Sequence, residues 1–137
     1  MKKPGVLMLC VANSARSQMA EALAKARYGD AVAVMSAGSE PSRVHPMAIA
    51  AMESRGLSMT EHSSKHVDEI DPATVDVVLT LCAEEYCPAY LHRATRLHWP
   101  MPDPAGDGAT LDGFLRVAEQ IEVRLSELDH LLRPPPQ

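Results

Sequence analysis

The chain has 137 residues, 46% of them hydrophobic and 23% charged, the size and balance of one globular domain with its own core. A formal net charge of −5 argues against a surface for nucleic acid, and no run of eighteen apolar residues is present to span a membrane. Three cysteines, Cys10, Cys82 and Cys87, do not make a structural disulfide framework; they leave buried thiols, a metal site or thiol chemistry.

The basic start of the chain runs into the apolar Val6, Leu7, Met8 and Leu9, a stretch too short for a signal-peptide core. Residues 6–10 read instead as a central parallel strand, and the protein as one cytoplasmic domain over residues 1–137. A polar stretch follows. Met19, Leu23 and Ala26 then recur at helical spacing, which predicts a helix over residues 16–28 stopped by Gly29 and Asp30. Residues 31–36 read as a second strand. Residues 46–55 read as a helix with Pro46 in its first turn and Gly56 as its stop. Residues 62–70 are polar and admit one helical turn at most.

Val75, Val77, Val78, Leu79 and Leu81 make a strong third strand with Cys82 at its end. Residues 82–91, interrupted by Pro88, read as loop or short helix, and residues 95–99 as a weaker fourth strand. Pro100, Pro102 and Pro104 hold the next segment extended. Phe114, Val117, Ile121, Leu125, Leu128 and Leu132 advance by three or four and mark one face of a last helix, ended by Pro134, Pro135 and Pro136. Strands alternating with helices predict an α/β fold: an open, mostly parallel, four-stranded sheet with helices on both faces. Ligands of such sheets sit beyond the carboxyl ends of the strands. Cys10 and Cys82 both lie there.

Cys10, Val11, Ala12, Asn13, Ser14, Ala15, Arg16 and Ser17 form a Cys-x5-Arg-Ser loop between a strand and a helix. Such a loop can wrap backbone N–H groups around a tetrahedral oxyanion, with the positive end of the helix aimed at the same spot. Arg16 offers a planar fork to two anion oxygens. The same field favours a thiolate at Cys10, and Ser17 can donate a hydrogen bond to it. Asn13 tolerates the left-handed backbone that a tight loop requires. A plain buried thiol is the competing reading of Cys10. His62 and His66 show no third ligand, and zinc held by Cys10, Cys82, Cys87 and His92 has irregular spacing, so no metal site is expected and the histidines read as surface.

The sequence resembles the thioredoxin-coupled arsenate reductases, which share a fold with the low-molecular-weight protein tyrosine phosphatases. The resemblance covers nearly the whole chain. It runs through the loop at residues 10–17 with Gln18 to Ala22, then Ser36, Ala37 and Gly38, then Thr80, Leu81 and Cys82. It continues at His98 and Trp99 and at Asp103, Pro104, Ala105 and Gly106. It implies a relay. Cys10 attacks arsenate, Asp103 protonates the leaving oxygen, Cys82 takes the oxidation from Cys10, and Cys87 takes it from Cys82 for return to thioredoxin. Cys82 and Cys87 in a regular helix would be held apart, so local unwinding is expected. No cofactor, membrane or nucleic-acid partner is implied, and nothing demands more than a monomer. Phosphate is the expected analogue, with weak phosphatase side activity. The loop alone serves a phosphatase equally well, and a non-enzymatic thiol sensor is the third reading. Some relatives hold potassium beside the loop. Here Asn13, Glu21 and Ser36 match, but the fourth position is Lys65, whose ammonium is expected to replace the ion.

Overall fold

The strand β1, Gly5–Cys10, is buried along its whole length, as its unbroken apolar run requires. The computed structural model describes residues 3–82, 90, 92–106 and 108–132. In it β1 pairs in parallel with β2, Ala33–Gly38, on one side and with β3, Val77–Thr80, on the other, and β4, Thr95–His98, pairs in parallel with β3. The order β2-β1-β3-β4 reverses direction between β1 and β3. Loops leaving those two strands diverge, and a crevice opens at their carboxyl ends. Cys10 ends β1 at that crevice. Leu81 N–H donates to Leu9 O at 3.1 Å, so pairing continues to the edge where Cys82 follows. The ladder also continues past β4: Trp99 N–H reaches Thr80 O at 2.9 Å and Met101 N–H reaches Leu81 O at 3.1 Å. That extended segment, stiffened by its prolines, carries Asp103 to the same edge.

Side chains of β1 alternate between two apolar clusters. Val6 and Met8 join Val34, Val77 and Leu79 against three α-helices: α1, Arg16–Tyr28; α2, Pro46–Ser54; and α3, Leu111–Arg124. Leu7 and Leu9 face Ala37, Val75, Val78 and Tyr90 on the other side. The helices expected on both faces are unequally shared, because a single 3-10 turn covers the second face among the described residues. Among the described residues all three α-helices lie against one face, while Val67 and Ile70, on and beside the 3-10 turn Val67–Glu69, pack on the other. That turn and a second, Pro72–Thr74, are capped at their starts by the side chains of His66 and Asp71.

The apolar face of the last helix behaves as its spacing demands: Phe114, Val117, Ile121, Leu125, Leu128 and Leu132 are all buried. The regular α-helix stops at Arg124, however, and continues as a 3-10 turn over Leu125–Leu128. The second strand starts two residues later than expected. Gly29, at φ 56°, ends α1, and Gly29–Ala31 makes a 3-10 turn before the chain extends. The third strand is shorter than its apolar run, because Val75 closes the turn before it, its N–H bonded to Pro72 O.

Gly38 is the closest approach in the fold that bears on the crevice. A β-carbon there would lie 2.3 Å from Val11 O, 2.9 Å from Asn13 N and 3.0 Å from Cys10 O. These are backbone atoms of the loop after β1, which can yield only by moving the loop. Gly38→Ala should therefore cost about 1–3 kcal/mol of stability in urea unfolding and weaken phosphate binding. An unchanged midpoint and affinity would contradict this. In the core, Ile121→Ala should cost about 2–5 kcal/mol, whereas Val123→Ala, at a side chain that is 71% exposed, should change the midpoint little.

Candidate active site

The loop from Cys10 to Ser17 is shaped from its outer side. Glu40 N–H donates to Val11 O at 2.9 Å, Ser42 N–H to Ala12 O at 3.1 Å, and His45 N–H to Ser14 O at 3.0 Å. Ser64 Oγ also donates to Ala12 O, at 3.0 Å, and Gln18 Nε2 donates to Asn13 O at 3.1 Å. Every carbonyl from residue 11 to residue 14 is thus held by a donor outside the loop. In a trans peptide the C=O and the next N–H point in opposite directions, and no cis bond occurs among the described residues. The carbonyls that face out therefore turn the N–H groups of residues 12–15 to the opposite side, and of these residues Ala12, Ser14 and Ala15 line the hollow. Asn13 makes the necessary bend at φ 47°, the left-handed conformation expected of it.

The inner side is a hollow of about 220 Å³ lined by Cys10, Val11, Ala12, Ser14, Ala15 and Arg16, with Ser42, Asp103 and Ala105 at its rim. Helix α1 starts at Arg16 with no side chain capping its first turn. Its leading N–H groups and its positive end meet the hollow, which suits an anion.

Cys10 is a buried, reduced thiol whose Sγ lies 2.9 Å from Ser17 Oγ. Asn13 Nδ2 donates to Ser17 Oγ at 2.9 Å and to Ser36 Oγ at 3.0 Å, and Ser36 Oγ donates to Glu21 Oε1. Ser17 Oγ accepts from Asn13 and keeps a hydrogen that it can donate to a thiolate at Cys10. The network continues outward: Asn13 Oδ1 accepts from Lys65 N–H at 2.9 Å and from Gln18 Nε2 at 3.0 Å, while Gln18 Oε1 meets His62 Nδ1 at 2.9 Å. The Gln18 oxygen can only accept, so the His62 hydrogen sits on Nδ1. His62 is not a surface residue: its side chain is 5% exposed and lies 3.9 Å from the Glu21 carboxylate. Burial holds its pKa below the usual imidazole value. Lys25 and Lys65 push the same way, and Glu21 and Glu61 oppose them.

Two further expectations are revised or bounded here. Lys65 does not bring its ammonium to Glu21. Its Nζ turns to Ser63 O at 2.9 Å, and the ammonium on Glu21 belongs to Lys25, at 2.5 Å and one helical turn along α1. A lysine four residues from a glutamate reaches it along the helix, whereas the backbone of Lys65 is already committed to Asn13. Cys87, with the rest of residues 83–89, lies outside the described residues. Among the described residues no group of three His, Cys, Asp or Glu side chains could hold a metal ion.

Arg16 is 5% exposed, and its Nη1 donates to Met101 O at 3.1 Å and lies 3.5 Å from Leu81 O. Its Nη2 is 4.0 Å from Asp103 Oδ2. Asp103 Oδ1 accepts the Ala105 N–H at 2.9 Å, a turn contact, while the carboxyl group stands half-exposed at the rim. Cys82 is 1% exposed and does not line the hollow. The structure thus brings Cys10, Arg16, Ser17 and Asp103 together and places Cys82 just behind the same edge. Ser42, Ala105, Gln18 and His62 were not assigned as site residues from sequence. Gln18 and Ala105 lay in motifs already quoted, whereas Ser42 and His62 come from segments distant in sequence.

The family model for low-molecular-weight phosphotyrosine protein phosphatases matches residues 5–134. An arsenate reductase of Staphylococcus epidermidis is 36% identical over 132 residues, 95% of this chain and 98% of that protein. A solved arsenate reductase in its phosphate-binding state superposes with a TM-score of 0.80 at 35% identity, covering 97% of this chain and 100% of that one. The thioredoxin-dependent arsenate reductase of Corynebacterium glutamicum superposes with a TM-score of 0.73 at 29% identity, over 96% of this chain and 62% of that one. A cysteine, a ring of inward amides and an arginine at the head of a parallel sheet, in a chain matched almost from end to end, make this protein a member of the low-molecular-weight phosphotyrosine protein phosphatase family.

Proposed function

We propose that this protein reduces arsenate to arsenite through Cys10, Cys82 and Cys87, with thioredoxin as electron donor. The observation that carries the oxyanion site is the loop whose carbonyls from residue 11 to residue 14 are tied outward, which leaves inward amides, an uncapped helix start and Arg16 around one sulfur. The likeness to arsenate reductases over nearly the whole chain supports arsenate reduction over ester hydrolysis. Arsenate and phosphate share shape and charge, so the site should take either. The solved relative described as an arsenate reductase in a phosphate-binding state supports this. The thioredoxin-dependent relative supports the choice of donor.

The chemistry follows from the positions. Ser17 donates to Cys10 Sγ and favours the thiolate, which attacks arsenic in arsenate. A hydroxyl of arsenate takes a proton from Asp103 and leaves as water as the sulfur–arsenic bond forms. A thiolate at Cys82 then attacks Cys10 Sγ. The S–S bond forms, the sulfur–arsenic bond breaks, and its electron pair stays on arsenic, which departs as arsenite. Cys87 attacks Cys82 in turn, frees the Cys10 thiolate and leaves a Cys82–Cys87 disulfide, which thioredoxin reduces by the same exchange. Cys82 is buried behind the hollow, so the second step requires the chain after Leu81 to shift.

Phosphate esters fit the same hollow, and a slow phosphatase activity should accompany the main one. Replacement of Cys82 separates the two. Cys82→Ser should lower arsenate-dependent NADPH oxidation with thioredoxin and its reductase by at least about 100-fold, while p-nitrophenyl phosphate hydrolysis stays within about threefold. Cys10→Ser should abolish both. Full arsenate turnover in Cys82→Ser would overturn the relay.

The network behind Cys10 has its own pH signature. The unfolded chain protonates His62 near its ordinary value of about 6.5, whereas the folded protein resists until lower pH. The unfolded state therefore binds more protons in between, and stability that is full above that value is lost as pH falls through the folded value. The urea midpoint should fall between pH 7 and pH 5, and His62→Gln should make that fall shallower. An equal fall in the variant would contradict the assignment.

A further inference from the structure

We propose that His45 is a positioning residue for the oxyanion loop, acting through the peptide between Ser14 and Ala15. This rests on the reading of the hollow as an oxyanion site. Three separate contacts meet at this one residue. Its N–H donates to Ser14 O at 3.0 Å, the bond that turns Ala15 N–H toward the hollow. Its carbonyl starts α2, accepting from Ala48 N–H at 3.0 Å and Ile49 N–H at 3.1 Å. Its ring Nδ1 accepts from Met47 N–H at 3.1 Å and so caps the same helix.

The ring also has a fixed seat. It packs against Phe114 with centroids 4.8 Å apart and planes tilted by 37°, and Phe114 is fully buried on α3. Pro46 restricts residue 45 to the extended region, where it is found at φ −69° and ψ 133°. The backbone range is thus set by the proline, and the place within that range by the ring. A side chain that cannot cap Met47 N–H lets the residue rotate, even with a ring resting on Phe114. The N–H that holds Ser14 O rotates with it. An acceptor on Nδ1 requires the ring hydrogen on Nε2.

The two functions of the ring can be separated by substitution. His45→Phe keeps an aromatic ring for Phe114 and removes the acceptor. His45→Asn removes the ring and restores an acceptor suited to a helix cap. The readout is the dissociation constant of inorganic phosphate, measured by calorimetry well below the melting temperature of each variant. We expect His45→Phe to bind phosphate about fivefold more weakly than the parent, and His45→Asn to recover to within about twofold. A purely structural role lowers the melting temperature of both variants and leaves the affinity of the folded protein alone. Equal affinity in His45→Phe and the parent, or equal weakening in both variants, would overturn the proposal. A parent that fails to bind phosphate overturns the oxyanion site and this inference with it. A parent that binds phosphate but leaves arsenate unreduced overturns only the reductase reading.

Discussion

What faces into the hollow is decided by hydrogen bonds that face away from it. The peptide carbonyls of Val11, Ala12, Asn13 and Ser14 could have been left to water in a surface loop; here each has a donor from outside the loop. Peptide planarity then fixes where the opposite N–H groups go. The anion site is consequently built before any anion arrives, and little ordering remains to be done at binding, which is the meaning of preorganisation here. Gly38 belongs to the same arrangement, since only a residue without a β-carbon lets β2 end so close to the loop's first carbonyls.

The second constraint is the parallel sheet. Its strand order places the ends of β1 and β3 side by side and lets the ladder past β4 bring Met101 and Asp103 to the same edge. Arg16 sits where these segments meet, bonded to Met101 O and close to Leu81 O and Asp103. The guanidinium is aimed by backbone carbonyls, not by its own flexible chain. Cys82 follows Leu81 at the same edge, buried and not lining the hollow. That suits a thiol that reacts only after the first step.

Much of this was legible in the sequence, and the reasons differ by element. The strands β1 and β3 and the face of α3 were plain because burial imposes a period that the apolar residues must follow. The Cys10-to-Ser17 loop was plain because its chemistry is local: a thiol, five residues of backbone, an arginine and a helix start. Strand and helix ends were less legible, since Gly29, Val75 and Leu125 adopt 3-10 or turn geometry that the hydrophobic pattern does not distinguish from its neighbours. The network behind the thiol was hidden for a different reason. His62 lies 44 residues from Gln18, and Lys65 lies 52 from Asn13, so nothing in the local pattern announces either contact. The mistaken role of the Lys65 ammonium has the same origin, because position in a motif does not say where a four-carbon side chain turns.

The most direct measurement is the identity of the first disulfide formed on arsenate. Cys87→Ser protein, reduced, freed of thiol and treated with one equivalent of arsenate, is digested without reduction and weighed by mass spectrometry. A cross-link joining the peptide of Cys10 to the peptide of Cys82, with release of arsenite in equal amount, is the predicted result. Arsenate left unreduced with both thiols intact, or arsenite released without that cross-link, would contradict it.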